Sequence, residues 1–281
     1  MEVLIGTNGS TGTFPAIEYG AWLGSALNLP VTLMGISEKA NAAQIDDDPH
    51  PLEEAFSHAM EVFTRQGIEH RLEIQNGQAE VLIARKASEG EFITVIGSLG
   101  RPPIRHMLQG RSIHQLIEQI RGPIVYVPQA CIPPKSVLIC VGGLGYEVTA
   151  GNLGMRLAGL VQARITLMHV IPPMELNYPS SREIQKGAKN LAASNTLPGR
   201  ALRAGLELAQ AQGLHANLRI REGSIVEEIL NEVRSNDYDL ICMGSPFSVK
   251  SLRQMYAPNV AAEVAEQVAC PTLVARHKRE D

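Results

Sequence analysis

Gly97-Ser98-Leu99-Gly100, nine residues and then Gly110-Arg111-Ser112 form the stretch whose residue types and spacing best suit a charged ligand. Glycine lets backbone amides approach phosphate oxygens closely, because no Cβ stands in the way. A helix opening at Ser112 adds free N–H groups and the positive end of its dipole. Arg111, with Arg101 and Arg105 in the same segment, offers forked cationic donors that match a phosphate, and Pro102-Pro103 stiffens the segment. Taken alone, a glycine pair after a strand marks a tight turn as readily as a phosphate site.

Other chemistry-bearing residues read as structural. The eight histidines include no HExxH or paired helical arrangement. His169 reads as a hydrogen-bonded histidine at a strand end, and His106 and His114 as loop residues beside the glycine segment. Asp46-Asp47-Asp48-Pro49-His50-Pro51 reads as a solvated loop with Pro51 in a first helical turn rather than a metal cluster. Glu227, Glu228 and Glu232 are expected on the wet face of a helix, and Ser10 is expected to cap the helix beginning near Phe14.

The elements that must position the glycine segment come from an internal repeat. Val3-Leu4-Ile5 recurs as Val137-Leu138-Ile139, Gly9 as Gly143 and Thr32-Leu33-Met34 as Thr166-Leu167-Met168, all at an offset of 134. Ile96-Gly97-Ser98 recurs as Met243-Gly244-Ser245 at 147, so the second copy gains about 13 residues, placed between Pro172 and Arg200. Domains are expected over 1–128 and 136–281, joined by a short stiff linker holding Pro128, Pro133 and Pro134. Each copy reads as five strands alternating with four helices. In copy one the strands are 2–6, 31–36, 69–75, 92–97 and 124–127, and in copy two 136–141, 165–171, 216–221, 240–244 and 272–276. That alternation predicts an α/β fold, two tandem three-layer α/β/α domains each with a five-stranded parallel sheet. A sequence with 44% hydrophobic but only 4% aromatic residues, whose core must be built from aliphatic side chains, suits such sheets.

A net charge of −4 gives no electrostatic reason to expect nucleic acid or an acidic membrane as partner. The start MEVLIGTNGS lacks the basic and apolar regions of a signal peptide, no apolar run reaches the ~18 residues of a membrane span, and Cys131, Cys140, Cys242 and Cys270 form no metal or disulfide framework. The expected location is therefore the cytoplasm.

The glycine spacing in this setting resembles the universal stress protein family, whose nucleotide-binding members carry G-x2-G-x9-G-[ST] here, followed by a helix and an edge strand. Gly110 and Pro123 stand thirteen apart as that pattern wants, and Val3-Leu4-Ile5-Gly6-Thr7-Asn8-Gly9-Ser10 is similar to the family's first strand and Asp-Gly-Ser turn. The resemblance covers both copies. It implies strand order 3-2-1-4-5, pairing of the domains through their last strands and homodimers. It also implies an adenine nucleotide as ligand of copy one, ATP or AMP, with Mg accompanying ATP. Thr7, Asn8 and Gly35 would then lie near base and ribose, and Gly97, Gly100, Gly110, Arg111 and Ser112 around the phosphates. Asn8 stands where the family has Asp and Arg111 where it has Ser or Thr. Copy two departs further: Gly142 takes the Asp position, Phe247 the second glycine and Pro258 the third. Copy two is therefore expected to be structural. With no general base or Walker lysine, no catalytic residue is assigned, and any turnover would be slow ATP hydrolysis. The alternative is a protein-interaction and dimerisation module of the same fold that binds no nucleotide.

Overall fold

A computed structural model of the chain describes residues 1–38, 50–99, 112–143, 145, 147–173, 188–245 and 259–276. They fall into two compact units, one of Met1–Pro133 with Ala269–Thr272, the other of the remaining residues from Pro134 on.

Unit 1 runs β1 (Glu2–Thr7), α1 (Phe14–Leu27), β2 (Val31–Ser37), α2 (Pro51–Gln66), β3 (His70–Asn76), α3 (Ala79–Ser88), β4 (Phe92–Ile96), α4 (Ser112–Gln119) and β5 (Ile124–Tyr126). The sheet order is β3-β2-β1-β4-β5, and the pairings are parallel. β1 and β2 are buried along almost their whole length. That continuous apolar run, rather than alternation, is what helices on both faces demand of a central strand. Neighbouring residues of β1 report the two faces directly, since successive side chains point to opposite sides of a sheet. Ile5 lies against Gly20 of α1, while Gly6 lies against Ile83 of α3. Gly35, in register with Thr7, faces Phe56 of α2, so α1 and α2 share one face and α3 covers the other.

Unit 2 repeats the plan: β6 (Ser136–Cys140), α5 (Val148–Val161), β7 (Arg164–Ile171), α6 (Leu197–Ala211), β8 (Ala216–Glu222), α7 (Ile225–Ser235), β9 (Leu240–Ser245), α8 (Val260–Gln267) and β10 (Thr272–Arg276). Its order is β8-β7-β6-β9-β10, the same 3-2-1-4-5 arrangement. Ile139 and Cys242 lie against Gly154 of α5, and Leu167 against Gly205 of α6, which puts α5 and α6 together on one face. Burial pushes the Cys242 thiol up and the Cys140 thiol up to about 12, the latter helped by the Glu232 carboxylate, so both stay protonated at neutral pH.

The extra residues of copy two fall between β7 and α6. The repeat offset is 134 at Ser37 and Ile171 and has become 147 at Pro51 and Pro198, which open α2 and follow the first residue of α6. The described end of this insertion is tied down. Ala188–Ala193 forms a 3-10 turn, and the Arg203 guanidinium donates to the carbonyls of Ala192 (2.5 Å) and Ser194 (2.6 Å).

Two expectations are corrected. Glu232 is not on a wet face: it is fully buried, while its neighbours Arg219 and Arg221 on β8 hold its carboxylate. Ser10 does not cap α1, whose N-cap is Thr13. A 3-10 turn, Thr11–Thr13, intervenes, and the Ser10 hydroxyl is drawn instead to the Ser98 carbonyl (3.2 Å).

Candidate functional site

In an open parallel sheet, ligands collect outside the carboxyl ends of strands where the order reverses. In unit 1 that point lies between β1 and β4, whose following segments leave toward opposite faces. Thr7 and Asn8 end β1 there, and Gly97, Ser98 and Leu99 leave β4 beside them. The structure thus brings Thr7, Asn8 and Gly97 together. Ser112 begins α4, directly after Gly110-Arg111 in sequence. Gly100, Gly110 and Arg111, with Arg101, Arg105 and His106, lie outside the described residues, as do Asp46–Asp48, Phe247 and Pro258.

The turn after β1 is stitched to the segment after β4. The Asn8 side chain bridges them: Nδ2 donates to the Leu99 carbonyl (2.8 Å), and Oδ1 accepts from the Ser10 amide (3.2 Å). The amide orientation follows from its partners, since a flip would set oxygen against oxygen and N–H against N–H. Ser98 N donates to the Gly12 carbonyl at 3.0 Å. Gly97 is needed for this closeness, because a Cβ there would stand 2.6 Å from the Gly12 oxygen. Below, the buried Thr7 hydroxyl shares a hydrogen bond with Thr13 Oγ1 (2.6 Å) and accepts from Gly9 N (3.1 Å).

This geometry assigns Asn8 a task that an aspartate could not perform. A carboxylate can accept from Ser10 but has no proton for the Leu99 carbonyl. Asn8→Asp should therefore lose one hydrogen bond and set two acceptors face to face, costing about 1–2 kcal/mol. Hydrogen exchange at the Ser98 amide should speed up, and unchanged protection there would refute the bridging role.

Gly35 sits apart from this cluster in one respect. The space a side chain would take at Gly35 is filled from within the unit, with Phe56 Cζ 2.5 Å and Leu52 Cδ2 3.2 Å from the Cβ position. Thr13 and Phe56 are residues that sequence reasoning missed, and Ser98 and Leu99 entered it only as part of the glycine spacing.

The same end of unit 2 is built with other groups. Glu147 stands at the repeat position of Thr13, and its Oε1 accepts from Gly143 N at 2.8 Å, where Gly9 N uses the Thr7 hydroxyl in unit 1. His169 stands at the repeat position of Gly35, buried, with Nδ1 2.6 Å from the Val141 carbonyl. The strand-end reading of His169 matches this bond. The neutral Thr–Asn end of unit 1 thus has a carboxylate at the equivalent repeat position in unit 2, and a carboxylate repels phosphate.

The polar groups of unit 1 form a neutral donor and acceptor set next to the first glycine of the segment. The Thr7 hydroxyl and both ends of the Asn8 amide are bonded within the unit, and α4 opens at the far end of the same segment.

No helix among the described residues is long and apolar enough to cross a membrane. No curated protein matches the chain. A universal stress protein from Archaeoglobus fulgidus is 15% identical, with a TM-score of 0.66 over 99% of this chain and 97% of that one. A functionally unknown protein from Pseudomonas aeruginosa is 13% identical, with a TM-score of 0.64 over 98% of this chain and 92% of that one. The cytoplasmic domain of a prokaryotic cation chloride cotransporter is 15% identical at a TM-score of 0.53, covering 100% of this chain and 96% of that one. At these identities the likeness is one of fold. The sequence pattern of the universal stress protein family matches residues 134–276, half of the chain, and with that match the chain belongs to the universal stress protein family.

Proposed function

We propose that unit 1 binds an adenine nucleotide, ATP or AMP, and that unit 2 is its structural partner. A stress-associated regulatory role and a homodimeric state belong to the same reading, as does Mg accompanying ATP. The observation that carries it is the convergence of Thr7, Asn8 and Gly97 at the reversal of strand order, with α4 opening at the far end of the same glycine segment. Thr7 and Asn8 would border the base and ribose. The backbone from Gly97 through Gly100 and Gly110, Arg111 and the start of α4 at Ser112 would surround the phosphates, the arginine by its forked donors. Among the described residues none is placed to act as a general base, and the reading is one of binding rather than turnover.

Titration calorimetry with ATP, with and without magnesium, tests the proposal when repeated on Gly110→Val. A branched side chain at position 110 would keep the backbone amides away from phosphate oxygens. Saturable binding at one site per chain, weakened at least about a hundredfold in the variant, is the expected result; loss of one or two charge-assisted contacts suffices for that. No heat at high micromolar ATP, in protein freed of co-purified nucleotide, would overturn it. That result would favour the second reading, a nucleotide-free interaction module, which the engagement of both ends of the Asn8 amide within the chain supports.

A further inference from the structure

The two units carry matching aliphatic residues along their third strand and third helix. Gly77 and Gly223 lead into α3 and α7 with matching backbone angles (φ +145 and +151), which fixes the repeat offset at 146 here. Their amides bond the equivalent carbonyls of Ser37 and Ile171. At that offset Leu72 matches Leu218, Ile74 matches Ile220, and Ile83 matches Ile229, both of the last pair buried. Ile83 and Ile229, the buried match on the helices, do not distinguish α3 from α7.

The polar contacts do distinguish them, because their polarity is reversed. In unit 1 the strand carries the acceptors and the helix the cations. Lys86 Nζ lies 3.0 Å from the Glu73 carboxylate, and Arg85 Nη2 donates to Gln75 Oε1 at 2.7 Å. In unit 2 the strand carries the cations and the helix the anion. Glu232 accepts from Arg221 Nη2 at 2.5 Å and Nε at 3.2 Å, with Arg219 Nε 3.6 Å away. The positions are the same ones: 73 matches 219, 75 matches 221 and 86 matches 232.

We propose that this reversed ion pair is a pairing code that keeps each third helix on its own sheet. Two tandem copies of one fold risk exchanging equivalent elements during folding, within a chain or between chains. With α7 on β3, the Glu232 carboxylate would meet Glu73. With α3 on β8, Lys86 and Arg85 would meet Arg219 and Arg221. Both wrong pairings bring like charges together, the first around the buried Glu232 carboxylate and the second at half-exposed arginines, and specificity of this kind comes from penalising the alternative as much as from favouring the native contact.

The code is tested in the full chain by refolding from urea over a range of protein concentrations and separating monomer from larger species. Glu73→Arg with Lys86→Glu keeps an ion pair in unit 1 but gives it the polarity of unit 2. Glu73→Gln with Lys86→Gln removes the charge from the same sites. The ratio of native monomer to exchanged or aggregated species should fall in the order parent, neutral pair, reversed pair, by roughly tenfold from first to last, as expected when like-charge penalties are lifted. Equal recovery of all three would overturn the proposal. So would a neutral pair that falls as far as the reversed pair, since that would report a weaker contact rather than a lost distinction. Should the reversed pair miss the native circular dichroism spectrum even in dilute solution, the neutral pair decides. Its recovery must drop at high concentration and match the parent at low concentration, and any other pattern counts against the code.

Discussion

Glu232→Ala should destabilise unit 2 by about 2–3 kcal/mol, the larger of the side-chain effects expected in this protein. The Glu232 side chain is fully buried, and its carboxylate takes five contacts. Arg221 donates twice, Tyr238 Oη donates to Oε1 at 3.0 Å, Asn236 Nδ2 does so at 3.0 Å, and Arg219 lies 3.6 Å away. Alanine would leave a void and strip the nearly buried Tyr238 phenol of its acceptor. The loss stays below the ~3–5 kcal/mol typical of a broken buried ion pair, because Arg219 and Arg221 are half-exposed and can turn to water. Glu232→Gln keeps the volume and one acceptor oxygen but loses the charge, so it should fall between alanine and the parent. Urea unfolding followed by circular dichroism measures all three. An alanine variant as stable as the parent would show that the cluster is solvated in solution.

Glu232 also shows where sequence reading stops. Its helix spacing gives no sign of burial, since Glu227, Glu228 and Glu232 read as one acidic face. What buries Glu232 is the geometry of a parallel edge strand, which puts Arg219 and Arg221 two residues apart on the side that α7 covers. The strands themselves are legible to within a residue or two, because a buried parallel strand is written as an aliphatic run, as in Val3-Leu4-Ile5. The repeat was legible for the same reason, and so was the location of the inserted residues. The candidate site was legible only as positions. Asn8 looks like a depleted aspartate until its two partners, Ser10 and Leu99, are seen to need one donor and one acceptor from the same side chain. Gly35 is placed near base and ribose only by the family resemblance, and the sequence does not show that Phe56, twenty-one residues along the chain, faces it. Neither Phe56 nor Leu99 has a local sequence signal, since both act across the fold.

Gly9→Ala and Gly143→Ala should each destabilise their unit by more than about 3 kcal/mol, and the reason separates into two parts. The first is backbone conformation. Both glycines hold a positive φ, +83 and +81, which a residue with a Cβ adopts at a cost of roughly 1 kcal/mol. The second is collision. A Cβ on Gly9 would lie 2.6 Å from the Pro51 carbonyl carbon and 2.8 Å from Leu52 N; one on Gly143 would lie 2.6 Å from both Cα and N of Pro198. These are backbone atoms at the start of α2 and α6, so no rotamer change relieves the contact, and the whole helix would have to withdraw from the strand end. Gly67→Ala isolates the first part, because Gly67 has φ +63 and nothing within 4 Å of its Cβ position. Urea unfolding should therefore give a loss near 1 kcal/mol for Gly67→Ala and at least about threefold more for Gly9→Ala. A common value for the two would mean that backbone strain alone is at stake and that α2 yields freely. The prediction also bears on binding. Gly9 touches the residues that open α2, and Asn8 beside it touches Leu99. A shift at Gly9 that moved α2 would disturb the turn between Thr7 and Ser10 from one side while leaving β4 in place. ATP affinity should then fall in Gly9→Ala but stay at the parent's value in Gly143→Ala, whose disturbance is confined to unit 2.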